Sequence, residues 1–292
     1  MNNLTSGILL LDKPSGISSH AALQKVKRLF RAKKVGHTGS LDPLASGMLP
    51  LCFGEATKFS QYLLAADKKY WVQAQLGIRT ASGDSDSEVI ATREVPALEK
   101  QQVDHQLQSF RGHIKQIPPM YSALKHQGQP LYKLARQGIE IERQSRDVTI
   151  YALDLLDYHD QTLTFEMHCS KGTYVRTLVD DLGELLGCGA HVITLRRLSV
   201  AQYLENTMRT LETLTQSTLE QCLLPTESMI PSWPSVNLTE EHWYYLRQGQ
   251  AVMVSDAPAA GWVQLFSANG SFVGVGEMDH NGKVAPRRLM IM

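Results

Sequence analysis

The stretch Gly36-His37-Thr38-Gly39-Ser40-Leu41-Asp42-Pro43-Leu44-Ala45-Ser46-Gly47 sets a single carboxylate among glycines, hydroxyls and a histidine, with little apolar bulk to mark it as core. Its glycines permit backbone conformations that a Cβ forbids and let a ligand approach the main chain closely. Asp42 is the only acidic residue between Asp12 and Glu55, and Lys33 and Lys34 lie just upstream. A lone carboxylate on a polar loop beside a basic segment suits acid, base or nucleophile chemistry on an anionic partner. A plainer reading makes Asp42 a helix N-cap with Pro43 at the first helical position, the glycines only shaping turns. The two are compatible, because a reactive group can stand at a helix start.

Gly36-His37-Thr38-Gly39-Ser40-Leu41-Asp42-Pro43 resembles the signature loop of the TruB-type tRNA pseudouridine synthases, and the likeness extends along the chain. Gly7-Ile8-Leu9-Leu10-Leu11-Asp12-Lys13-Pro14-Ser15-Gly16 resembles the N-terminal motif of that family, and Lys69-Tyr70 followed by an alternating strand resembles its second motif. Lys171-Gly172-Thr173-Tyr174-Val175-Arg176 and Leu195-Arg196-Arg197-Leu198 resemble later motifs. They occur in family order and cover most of residues 7–198.

The resemblance implies conversion of uridine 55 in the TΨC loop of tRNA to pseudouridine. The C1′–N1 bond breaks, the base rotates and rejoins through C5. This involves neither redox change nor phosphoryl transfer, so the resemblance implies no cofactor and no metal. It puts Asp42 beside C1′, as nucleophile or as base toward a sugar proton, ionised either way. Burial raises the pKa of an Asp and an adjacent Arg⁺ counteracts it, and Arg176 is the implied partner. The other reading of Arg176 is an i,i+4 surface pair with Asp180, worth about 0.3–0.5 kcal/mol. Tyr70 is the implied stacking platform for the flipped base, its hydroxyl assisting proton transfer at C5; by pattern alone it is a core tyrosine. For substrate binding, the resemblance implies His37 near the space left by the flipped base, Tyr174 and Leu195 against the flipped nucleotide, and Lys13 on a phosphate. Asp84 matches a family acidic residue and is counted with the implied substrate-binding residues, as is Tyr70. Two departures stand nearby: the usual Thr-Asp-Thr run is here Thr80-Ala81-Ser82, and a common family glycine is Ser87.

The elements that must hold these groups read as follows. Gly7 to Asp12 is a short buried strand, and Ser18 or Ser19 caps a helix running to about Lys34, with Ala22, Leu23, Val26, Leu29 and Phe30 inward and Lys25, Lys27, Arg28 and Arg31 outward. Residues 56–66 form a second helix. Tyr70, Val72, Ala74 and Leu76 alternate with polar neighbours as a strand. Asp84, Asp86 and Glu88 alternate like metal ligands, but the glycine and distal Glu of a calcium loop are missing. Residues 118–147 form an insertion with one helix around 131–137, comparable to the thumb of the family. Residues 163–169 are a strand, residues 173–176 resume it, and a helix follows from about Leu178 to Leu186, ending at Gly187. Pro225, Pro231 and Pro234 mark a boundary. Beyond it come a helix at 240–248 and short strands separated by Asn269-Gly270 and Asn281-Gly282. The expected architecture is α+β, mixed α/β. A catalytic domain (1–230) holds a mixed, largely antiparallel sheet flanked by helices, and a small β-rich, PUA-like RNA-binding domain follows (231–292).

The 292 residues carry no formal net charge, but the charge is unevenly spread. Residues 1–70 hold ten Lys/Arg against four Asp/Glu, and residues 201–292 hold five against nine. Basic charge therefore gathers around the signature loop, as a phosphate-binding face requires. Cys52, Cys169, Cys188 and Cys222 form no C-x-x-C pair, so neither a zinc ribbon nor a redox motif is suggested, and free thiols fit a reducing cytosol. No signal-peptide pattern opens the chain and no apolar stretch reaches membrane-spanning length, so a cytoplasmic location is expected. The expected partner is the tRNA T-arm, with no membrane and no obligate protein partner. Two rivals remain: a non-catalytic RNA-binding or RNA-folding protein, against which intact Asp42, Tyr70 and Arg176 argue while leaving a second, chaperone-like role open, and a glycoside hydrolase, which needs a second nearby carboxylate.

Overall fold

The computed structural model describes residues 6–255 and 258–291. In chain order its elements begin with β1 (Gly7–Lys13), α1 (Ser19–Leu29), β2 (Val35–His37), β3 (Ser46–Phe53), α2 (Ser60–Leu64), β4 (Lys68–Leu76), β5 (Ile78–Thr80), β6 (Val89–Thr92), α3 (Lys100–Gln108) and β7 (Gly112–Gln116). β8 (Lys125–His126), β9 (Gln129–Pro130), α4 (Leu131–Ala135), β10 (Arg146–His159), β11 (Thr162–Cys169), α5 (Val175–Leu185), β12 (Ala190–Val200), β13 (Arg209–Thr210) and α6 (Leu219–Cys222) follow. The last are β14 (Ser235–Asn237), α7 (Glu240–Arg247), β15 (Val252–Met253), β16 (Gly261–Phe266), β17 (Phe272–Met278) and β18 (Lys283–Leu289).

A nine-stranded sheet in the order β13-β1-β3-β12-β4-β11-β10-β7, with β2 on β3, forms the body. It is mixed but mostly antiparallel, as expected; β12 runs parallel to β3, and β13 to β1. β3 and β12 meet only through Arg196 opposite Ser46 and Arg197 opposite Gly47. α1 and α5 cover the sheet face that carries Tyr70, Val72, Ala74 and Leu76, closing the main core. The alternation in β4 works as read: a pleated strand turns every second side chain to the core.

Several local expectations shift. Ser18 caps α1, its hydroxyl accepting from Ala21 N–H at 3.1 Å. The helix ends at Leu29, not Lys34, because Arg31 turns left-handed (φ +48°) and Ala32 N–H bonds Lys27 O at 3.0 Å. The second helix is a 3₁₀ turn (Gly54–Phe59) followed by the short α2. No helix starts at Asp42: Ala45 N–H closes one turn on Asp42 O, and β3 begins at Ser46. Residues 173–176 do not resume a strand. Gly172 takes φ +80° and the side-chain amide of Gln116 holds both Tyr174 N–H and Tyr174 O, so α5 starts three residues earlier than expected. Residues 118–147 carry a two-residue hairpin, α4 and a small core of Met120, Leu131 and Leu134.

The C-terminal strands form a separate five-stranded sheet, β14-β16-β17-β18-β15, packed on α7. Its second face meets the body through Phe272 and Val275 against Phe59 and Met48. Tyr62, Trp233 and Trp262 extend that contact, with ring centroids 5.0 Å (Tyr62–Trp233) and 5.2 Å (Trp233–Trp262) apart. Among the described residues no helix is long and apolar enough to cross a membrane.

Candidate active site

The loop between β2 and β3 is pinned at alternate residues around Asp42. Arg197 Nη2 donates to Gly39 O at 3.1 Å and its Nε to Met48 O at 2.6 Å. The buried Ser19 hydroxyl accepts from Leu41 N–H at 2.7 Å and donates to Leu41 O at 2.9 Å. Pro43 O accepts from Gly16 N–H at 2.8 Å and from Lys13 Nζ at 3.4 Å. Gly47 (φ +97°) lets β3 lie against β12: a Cβ there would stand 2.3 Å from Arg197 O.

Asp42 Oδ2 lies 3.0 Å from Arg176 Nε. Arg176 is 5% exposed, and its other donors go to Ser82 O (2.6 Å) and Tyr121 O (2.7 Å), with Asp84 Oδ2 at 3.6 Å. Five donors in a rigid fork suit one side chain to organising four separate acceptors. Asp180, the alternative partner, is instead held bidentately by Arg79 at 2.7 and 2.8 Å. Beside Arg176, Ser87 Oγ accepts from Ser82 N–H at 2.8 Å and contacts Ser82 Oγ at 2.7 Å, while Ser82 Oγ donates to Asp84 Oδ1. Ser82 and Ser87 thus tie this loop together with their own hydroxyls.

Burial pushes the Asp42 carboxyl above its ordinary value, and the Asp84 and Asp86 carboxylates push the same way; Arg176 and Lys13 oppose them. Its side chain keeps 39% of its exposure, opening into a cleft of about 420 Å³. His37, Asp42, Tyr70, Tyr174, Arg176 and Leu195 all line this cleft, brought together from β2, β4, α5, β12 and the loops before β3 and α5. Tyr70 is 8% exposed, and burial raises its phenol so that the hydroxyl stays protonated at neutral pH. His37 is half-buried on β2. Burial, then Arg197 and His20, lower its pKa and keep the ring neutral at pH 7. Tyr174 carries the Arg146 guanidinium 5.8 Å from its ring centroid.

Two expected binding residues do not line the cleft. Lys13 is fully buried, its ammonium taken by Pro14 O (2.8 Å), Ile17 O (2.7 Å) and Pro43 O, and burial brings its pKa down to about 8. No part of it reaches a surface where a phosphate could sit; it supports the loop and offsets the Asp42 charge. Asp84 is 4% exposed and faces Arg176. Conversely, Ser19, Gln116 and Arg197 hold the site without having been assigned a part. Their partners lie 22, 58 and 158 residues away, beyond any local pattern. Among the described residues no group of three or more His, Cys, Asp or Glu is placed to hold a metal ion.

Comparison with known proteins agrees with this architecture. The family model "TruB family pseudouridylate synthase (N terminal domain)" matches residues 27–175, "tRNA pseudouridylate synthase B C-terminal domain" matches 176–231, and "Pseudouridine synthase II TruB, C-terminal" matches 234–290. The tRNA pseudouridine synthase B of Coxiella burnetii is 56% identical, over 97% of this chain and 94% of its own. That of Tolumonas auensis is 54% identical, over 97% and 92%. Among solved structures, a Cbf5–Nop10–Gar1 complex superposes with a TM-score of 0.72 at 24% identity, covering 98% of this chain and 84% of that one. An H/ACA RNP bound to a substrate RNA gives 0.73 at 22%, covering 98% and 85%. At that identity the two structures establish the pseudouridine synthase fold, and the relatives and family models establish the rest: the chain belongs to the TruB family of pseudouridylate synthases.

Proposed function

We propose that the chain is a tRNA pseudouridine synthase that isomerises uridine 55 in the T-arm, with Asp42, Tyr70 and Arg176 as its catalytic residues. The observation that carries this reading is the 3.0 Å pair between Asp42 and the buried Arg176, at the wall of a cleft that also holds Tyr70 and Leu195. The cleft offers an exposed carboxylate edge, an ionised form supported by a guanidinium, and an aromatic side chain with a protonated hydroxyl. Glycosidic bond cleavage at C1′ needs the first two, and reattachment through C5 needs a proton acceptor or relay near the base. Flipping the uridine costs a few kcal/mol, which stacking on Tyr70 offsets by about 1–3 kcal/mol. The carboxylate serves as nucleophile toward C1′ or as base toward a sugar proton. His37, Tyr174 and Leu195 bind the nucleotide, while Lys13 and Asp84 act from behind it, through the loop and through Arg176.

The exposed Lys25, Arg28, Arg31, Lys33 and Lys34 supply the phosphate-facing charge. Residues 1–230 form the catalytic domain, with the 118–147 segment as its thumb, and residues 231–292 form a PUA-like RNA-binding domain. The free thiols of Cys52, Cys169, Cys188 and Cys222 fit a cytoplasmic enzyme. The test is tritium release from unmodified tRNA labelled as [5-³H]uridine. Wild type releases tritium, and Asp42→Asn loses at least about 10²–10⁴-fold in rate with tRNA affinity kept within threefold. Equal release by both would remove Asp42 from the chemistry. Tight binding without release by wild type would leave an RNA-binding or RNA-folding role.

A further inference from the structure

Ser122, among the polar residues that line the cleft, has no part in the scheme above. Ser122 stands where the 118–147 segment leaves β7. Its backbone is fully engaged: its N–H donates to Met120 O at 2.9 Å, and its carbonyl accepts from Tyr132 N–H at 3.1 Å. The carbonyl just before it, Tyr121 O, is held by Arg176 Nη2 at 2.7 Å, so Ser122 is fixed by the same guanidinium that holds Asp42. Its hydroxyl is different. Ser122 is 5% exposed, its Oγ is buried, and that oxygen has no hydrogen-bond partner among the described residues. The residue nonetheless lines the cleft with Asp42, Tyr70 and Leu195.

A buried hydroxyl left unpaired bears its full desolvation cost, and such groups in folded proteins call for a reason. Packing does not supply one: an alanine would fill nearly the same space without that penalty, as Ala123 does in the next position of the same wall. We propose that Ser122 Oγ hydrogen-bonds the uridine turned into the cleft, making it a substrate-positioning residue; the proposal rests on the reading of the reaction above. A uridine brings carbonyl oxygens that accept, an N–H that donates and ribose hydroxyls that do both, and a serine hydroxyl can answer any of them. Its rigid tie to Arg176 through Tyr121 would set the nucleotide's height relative to the Asp42 carboxylate.

The test compares wild type with Ser122→Ala and the near-isosteric Ser122→Cys. Three quantities are read: single-turnover pseudouridine formation on unmodified tRNA, tRNA Kd, and Tm. The expected result is a step about three- to tenfold slower for Ser122→Ala, the fold-change for one neutral hydrogen bond. Ser122→Cys falls between, Kd moves by less than twofold, and Tm is unchanged or raised because an unpaired group has gone. A purely structural serine would instead lower Tm and weaken tRNA binding together. Should the alanine variant misfold, Ser122→Cys carries the comparison. A wild-type rate in the folded variant, or a rate loss that follows Tm, overturns the assignment. Wild type in the same assay separates the failures. Without turnover by wild type the reading of the reaction falls and takes this proposal with it. With turnover, a Ser122→Ala rate equal to it removes only Ser122.

Discussion

Burial and two neighbouring carboxylates drive Asp42 toward protonation, and one guanidinium with one buried ammonium drive it back. In the proposed reaction the carboxylate acts in its ionised form, so kcat/KM should fall on the acid side as the pH drops through the raised Asp42 pKa. Arg176 favours the ionised form, so weakening it raises that pKa further. Arg176→Lys keeps a positive charge but cannot reach Asp42, Ser82 O and Tyr121 O from one planar fork. The expected outcome is an acid limb moved to higher pH, read from kcat/KM profiles of wild type and variant. An unmoved limb would show that another group governs ionisation.

At the scale of elements, the loop that carries Asp42 has no regular structure of its own and takes its rigidity from three neighbours. The end of β1 holds Pro43 through Gly16 and Lys13, the start of α1 holds Leu41 through Ser19, and β12 holds Gly39 through Arg197. Of these the Ser19 contact, on the residue before Asp42, is reciprocal and buried. Ser19→Ala leaves both Leu41 N–H and Leu41 O without that hydroxyl, which costs about 1–3 kcal/mol of stability. It also frees the residue beside Asp42, so kcat should drop more than tRNA affinity. Denaturant unfolding together with steady-state kinetics would check both; a stability loss with unchanged kcat would mean the other two ties suffice.

Across the whole molecule, zero net charge conceals a polar gradient, basic around the cleft loop and acidic toward the C-terminus. Because α1 turns its apolar stripe into the core, Lys25, Arg28 and the following Arg31 stand in solvent on one side of the molecule. RNA binding should therefore weaken as salt rises. Replacing Lys25, Arg28 and Arg31 by Gln should reduce the slope of log K against log salt by about 2, at about 0.7–0.9 for each phosphate no longer neutralised. A slope equal to wild type would place the phosphate path elsewhere. The C-terminal sheet is held to this body by more than apolar packing. Lys58 Nζ donates to Leu289 O at 3.0 Å, and Ile291 N–H donates to Glu55 Oε2 at 2.8 Å, beside the Tyr62–Trp233–Trp262 aromatic seam.

What the sequence determined by itself was local and periodic. The alternation of β4, the Ser18 cap and the Asn-Gly hairpins each depend on residues near one another in the chain, as does each of the short motifs that carry the family resemblance. Tertiary structure decided where those patterns stop and which charges pair. Helix α1 ends at Leu29, two residues before the left-handed Arg31, and α5 starts early because Gln116 grips Tyr174 from another strand. Arg176 takes Asp42 rather than Asp180, since Arg79 has claimed Asp180. Lys13, basic and adjacent to a turn, reads as a surface contact, yet three carbonyls draw it fully inside. For α5 and Arg176 the deciding partner arrives from far along the chain, and Lys13 adds the distant Pro43 carbonyl to two near ones. A buried polar group is settled by whichever distant donor or acceptor satisfies it, and sequence spacing carries no record of that choice.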